Sequence, residues 1–168
     1  MNDLLLQWGL FSFMIGIFLS LPLAAVHYQK DTIMKRIFVN ARKLTSAHID
    51  FFMQAFAIGF VYLLELSMET RFHSYIVIPL VFGTIMNPTI LLLEATPFIR
   101  SGVVKVVYKL LKAISPVSLM FAWIAISLKF LPMYLIILFV SVVILACFVG
   151  AIHLIKTRKQ KTNQKLMI

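Results

Sequence analysis

Apolar residues in this chain come in long unbroken runs, not in the alternation of half-buried strands or the narrow stripes of soluble helices. Five runs can be read: Leu4–Val26, Ala47–Leu66, Tyr75–Ile99, about Ala113–Leu128, and Met133–Ile155. Each is near the roughly 20 residues needed to cross a bilayer core. The pattern predicts an all-α polytopic membrane bundle of about five transmembrane helices, with four as the alternative. The fourth run raises that alternative. It is short, contains Pro116 and is parted from the fifth only by Lys129–Pro132, so it also reads as a tilted or re-entrant piece. Ser46 reads as the N-cap of the second span, with Asp50 complementing the positive end of its dipole. Arg100–Lys112 reads as a cytosolic interfacial helix. Lys105, Lys109 and Lys112 fall at i, i+4 and i+7, and Val103, Val106, Val107 and Leu110 supply apolar surface.

Charge orients these spans. Fourteen of the sixteen Lys and Arg residues lie in Lys30–Lys43, Arg100–Lys112 and Lys156–Lys165. Five crossings put all three clusters on one side, as the positive-inside bias requires. The expected topology is therefore N-terminus outside and C-terminus in the cytoplasm, with residues 1–156 as the membrane domain and 157–168 as a basic cytosolic tail. The first run has no basic residue before it and is too long for the apolar core of a secretory signal, so it reads as a mature helix.

Composition adds exclusions. The chain is 61% hydrophobic, 13% charged and carries a net charge of +10, unlike a soluble domain. The bases flank apolar spans, so anionic lipid headgroups of a bacterial cytoplasmic membrane are the expected partner and nucleic acid is not. The single cysteine, Cys147, excludes an internal disulfide framework or a multi-Cys metal site.

Candidate chemistry lies in the polar residues of spans two and three, where a polar side chain needs a reason. Span two carries His48, Asp50 and Gln54; span three carries Thr84, Asn87 and Glu94. The spans are antiparallel, so depths can be compared. Gln54 lies about 9 Å above His48, and Asn87 about 10 Å above Glu94, at ~1.5 Å per residue. Gln54 and Asn87 are thus expected at one level, with His48, Asp50 and Glu94 in a layer nearer the cytoplasm. Structural roles are available to each. Asn87 can cap carbonyls freed by Pro88, Glu94 can pair with Arg100, and Glu65 can meet outer water or Arg71. Gly9, Gly16 and Gly59 read as close-packing points, and His27, His73 and His153 as hydrated span ends.

Three segments carry a resemblance. Leu4–Phe18, with its polar residue and glycine followed by an apolar stretch, resembles the opening helix of the styrene oxide isomerase and hydroxylaminobenzene mutase family. Ala47-His48-Ile49-Asp50, with Gln54 and Gly59 following, is similar to its second helix. Phe82-Gly83-Thr84-Ile85-Met86-Asn87 is similar to its third. The match covers about the first 100 residues. It implies a small helical membrane protein, a homo-oligomer (a trimer), holding haem b between subunits and rearranging a small apolar substrate without net redox change. His48 would be the axial iron ligand, with Gln54 and Asn87 near the substrate. The chain departs from the family at Trp8, Phe82 and Leu91, where the pattern has a histidine, an acidic residue and a tyrosine; these losses bear on epoxide isomerisation itself. The family usually has four helices. Phe51, Phe52 and Phe56 could wall such a macrocycle, and Arg42 and Lys43 could meet its propionates.

Two function classes follow. The first is an intramembrane haem-b isomerase or mutase. The second is a non-enzymatic accessory or small-solute transport protein, with Asp50, Gln54, Asn87 and Glu94 lining a polar cavity between spans two and three. A metal-dependent hydrolase is a poorer fit, since there is no His-Glu-x-x-His pattern.

Overall fold

The computed structural model describes residues 3–29, 32–97 and 102–166, and the side chains of 3–29, 32–97 and 103–150. Among these are six helices and no strand: α1 (Asp3–His27), α2 (Thr32–Ile37), α3 (Ala41–Ser67), α4 (Ser74–Ala95), α5 (Gly102–Phe130) and α6 (Met133–Leu166). All but α2 are long and apolar enough to cross a membrane. The protein is an all-α, multi-pass bundle.

The chain divides into two compact units, Met1–Ala125 and Ile126–Ile168. In the first, α3 packs on both α1 and α4, most extensively on α1. The reason is a stripe of buried residues on α3, Leu44, Ala47, Phe51, Ala55, Ile58 and Val61, at spacings of three and four. At one end of the bundle Leu19, Val26, Leu44, Ala47, Phe51 and Ala95 form a core cluster, covered by Met34 of α2 and by Phe38. In the second unit no residue of the window Met133–Gly150 is buried by the chain itself, as expected of a lipid-facing helix.

Two sequence expectations about helix limits are corrected. Helix α3 starts at Ala41, five residues before Ser46. Its N-cap is Asn40, whose side chain accepts from the Lys43 amide at 3.2 Å, while Ser46 Oγ donates back to the Arg42 carbonyl at 3.0 Å. Asn is as good a cap as Ser, and it lets Arg42 and Lys43 form the first, interfacial turn. Second, Lys105–Lys112 does not form an interfacial helix of its own. Helix α5 continues through Pro116 to Phe130. A proline removes one ladder bond, which a 29-residue helix in a bundle tolerates.

The α3–α4 turn is built by side chains as well as backbone. Glu69 sits in the left-handed region, φ 48°. The Thr70 amide reaches back to the Glu65 carbonyl at 3.2 Å, and the Glu69 amide to Leu66 at 3.4 Å, which closes the helix in a Schellman-type end. Glu65, expected to meet outer water or Arg71, is 2% exposed and so turned away from water. Its carboxylate accepts from the Phe72 amide at 2.6 Å, so its charge fixes the turn.

Candidate functional site

The sequence-predicted polar residues separate into three contacts. The first is the α1–α3 crossing. Helix α1 turns Gly9, Ser12 and Gly16, at i, i+3 and i+7, into the bundle, and all three are buried. Small residues let the backbones approach, and polar side chains bridge them. Ser12 Oγ donates to the Phe51 carbonyl of α3 at 2.9 Å. One turn away the bond runs the other way, with His48 Nδ1 2.8 Å from the Gly16 carbonyl of α1. A carbonyl oxygen only accepts, so Nδ1 carries the hydrogen and a neutral ring keeps its lone pair at Nε2. The His48 ring also meets Phe52 edge-on, at 5.0 Å between centroids. Phe52 in turn packs against Phe13 at 5.1 Å.

Gly16 is needed for this seat. A Cβ there would lie 3.0–3.2 Å from the Phe52 ring. Beyond Phe13, α1 and α3 leave an apolar groove of about 220 Å³, lined by Gly9, Phe13, Ala55, Phe56 and Gly59 among others.

The second contact lies on another face of α3. Gln54 Nε2 donates to Asp50 Oδ1 at 3.2 Å, one turn below it. The third is the α4–α5 seam. Asn87 does not turn to Pro88's freed carbonyl. Its Oδ1 accepts from Ser115 Oγ at 2.7 Å, and Ser115 also lies 3.3 Å from the Gly83 carbonyl. Gly83 allows this approach: a Cβ there would fall 2.7 Å from Leu119 Cβ. Thr84 is fully buried and donates to Val81 within its own helix, at 2.9 Å.

At the end of this seam Glu94, with a side chain 17% exposed, pairs with Lys43 at 2.6 Å and with Lys112 at 3.0 Å. It also accepts from the Tyr108 hydroxyl. One carboxylate thereby ties α3, α4 and α5 together, with the Asn40 amide bonded to the Ala95 carbonyl beside it at 3.2 Å. Arg100, the partner expected from sequence, lies outside the described residues.

Gln54 and Asn87 therefore bond to residues on different helices and not to each other. Asp50, Gln54, Asn87 and Glu94 are engaged in three separate contacts, where sequence suggested a single cavity lining. Two members of the expected macrocycle surroundings are also redirected. Phe51 is 1% exposed because it belongs to the core stripe of α3, and Lys43 is drawn to Glu94. Sequence missed Ser12, Ser115 and Tyr108. Ser12 alone had a legible signal, its place midway along the Gly9–Gly16 stripe.

Among the described residues no group of three or more His, Cys, Asp or Glu side chains could hold a metal ion. An axial haem ligand needs only one. Fold and contacts define a multi-pass helical membrane protein with, among the described residues, one half-buried, oriented imidazole. No family model, curated protein or solved structure matches the chain.

Proposed function

We propose that this protein, set in a bacterial cytoplasmic membrane with its N-terminus outside, holds haem b through His48 and rearranges a small apolar substrate. One observation carries the reading: the 2.8 Å contact of His48 Nδ1 with the Gly16 carbonyl. Metal-ligating histidines donate their other ring N–H to a carbonyl or carboxylate, which fixes the tautomer and aims the ligating nitrogen. His48 has that arrangement, and no second protein partner is recorded for its ring nitrogens among the described residues. A haem bound there would supply a Lewis-acidic ferric iron for a substrate oxygen.

The chain's own residues do the rest. Gly16 orients the imidazole, and Phe52 and Phe13 keep its surroundings dry. Gln54 and Asn87 are the substrate-orienting amides of this reading, and each would exchange its present bond, to Asp50 or Ser115, for one to the ligand. The half-buried His48 stands on a helix whose Ile49, Met53 and Phe56 are exposed. Such a surface suits a group shared between copies, in keeping with a homo-oligomer of the trimeric kind that the resemblance implies. The basic clusters meet anionic headgroups on the cytoplasmic side.

Hemin titration of detergent-purified protein tests the assignment. His48→Ala should abolish the spectral response, while replacement of His27, His73 or His153 should leave it. Gly16→Ala should shift the band without abolishing it, since it crowds Phe52 and not the ring nitrogen. Gln54→Ala should leave it unchanged. An unaltered response in His48→Ala would remove the ligand assignment.

A further inference from the structure

Asp50 and Glu94 are carboxylates on the facing sides of α3 and α4, and only Glu94 has cations to meet. It pairs with Lys43 and Lys112. Asp50 is half-buried, and its recorded bond is the one it accepts from Gln54 Nε2 at 3.2 Å, a bond of the kind an anion makes. Asp50 forms no ion pair with the described residues.

The Lys43–Glu94 contact sets the register of the two helices. Asp50 and Gln54 follow Lys43 at i+7 and i+11, on one face of α3, and Asn87 precedes Glu94 by seven, on one stripe of α4. The helices are antiparallel, so Asp50 and Asn87 both stand about 10 Å above the ionic pair, at ~1.5 Å per residue. Gln54 is one turn further. The bonds of these residues are separate, but the faces that carry them are turned to each other. At that depth a carboxylate without a cation is costly.

Oxygen atoms are at hand to complete a site. Gln54 commits Nε2 to Asp50, which leaves its Oε1. Ser115 has one hydrogen and two acceptors in reach, Asn87 Oδ1 at 2.7 Å and the Gly83 carbonyl at 3.3 Å. Turned to Gly83, the hydroxyl stays bonded and frees Asn87 Oδ1. We propose that Asp50, Gln54 and Asn87 bind one alkali-metal cation between α3 and α4. One carboxylate with neutral amide oxygens balances a single positive charge. A divalent ion would draw further carboxylates, and among the described residues no three acidic, His or Cys side chains come together. The site does not depend on haem. It shares two amides with the substrate reading and none of its metal, so colourless protein can still bind the cation.

Full-length protein in detergent, free of haem, serves for the test. Its thermal unfolding is followed in sodium, potassium or choline chloride at equal ionic strength. Sodium or potassium should raise the midpoint by about 4 °C for each tenfold rise above the Kd, and choline should not. Asp50→Asn keeps the shape, removes the charge and should abolish the response. Equilibrium binding of radioactive sodium gives the second readout, with one saturable site per chain expected. Asn87→Ala should weaken that binding about tenfold, the loss of one contact to a charge, and carries the test should Asp50→Asn fail to fold. Ser115→Ala, which releases Asn87 Oδ1, should not weaken it. Equal midpoints in the three salts overturn the proposal. So does a sodium response that survives Asp50→Asn, or sodium binding indifferent to Asn87→Ala.

Discussion

The α1–α3 crossing and the α4–α5 seam both place polar groups inside an apolar bundle, and they satisfy them differently. At the seam side chains meet side chains: Ser115 with Asn87, and Glu94 with Lys43, Tyr108 and Lys112. The one backbone partner there is the Gly83 carbonyl, 3.3 Å from the same Ser115 hydroxyl. At the crossing side chains meet backbone: Ser12 reaches the Phe51 carbonyl and His48 the Gly16 carbonyl. A backbone carbonyl takes one hydrogen from the imidazole and leaves the second nitrogen over. The difference teaches that polarity within a span is a poor guide to chemistry by itself. What matters is whether any bonding capacity remains once packing is satisfied. By that measure the crossing holds the candidate iron ligand, and the seam is structural apart from Asn87, which reaches a ligand only by giving up Ser115.

Substitutions can separate the two regions. The largest effect is expected at the seam. Gly83→Leu drives a side chain into Leu119, whose Cβ and backbone nitrogen lie 2.7 and 3.0 Å from the position of a new Cβ. Overpacking of this kind should cost about 3 kcal/mol, measured as thermal unfolding in detergent, and protein that still folds should bind hemin as before. Glu94→Ala comes next. It leaves Lys43 and Lys112 facing each other, and the exposure of both lysines keeps the loss below that at Gly83. Equal stability with and without Glu94 would deny the cluster its role.

The crossing should respond more weakly in stability. Ser12→Ala removes one net hydrogen bond, about 1 kcal/mol, because the Phe51 carbonyl remains within its helix. A loss as large as that at Gly83 would make the crossing the main structural joint and erase the contrast. The smallest effect is predicted for Gly59→Ala. No atom lies within 4 Å of a Cβ at Gly59. Relief of glycine's helix penalty should leave stability unchanged or higher by up to about 1 kcal/mol.

Much of the fold was legible from the apolar runs. Five spans are present because unbroken runs of near 20 residues have few other solutions. The limits of the fourth were not legible. Hydropathy drops at Lys105–Lys112, but helical propensity does not, so α5 continues where the membrane ends. At the site, His48 was legible as a polar residue on a packed face, and the depths of Gln54 and Asn87 could be compared. Their partners could not be read. Helix rotation decides whether Asn87 faces α3 or α5, and Ser115 sits in the run whose status was least certain. Lys43 showed its charge but not its commitment to Glu94, which depends on how the ends of α3 and α4 meet.

The nitrogen of His48 left over by the Gly16 contact is the proposed iron ligand. The absorption spectrum of protein purified from cells supplied with ample haem tests it most directly. A Soret band is expected in the unaltered chain, lost or strongly displaced in His48→Ala and retained in Gly83→Ala if that variant folds. Colourless protein that also gives no response to added hemin would contradict it, and would leave the 2.8 Å contact with Gly16 as helix packing alone.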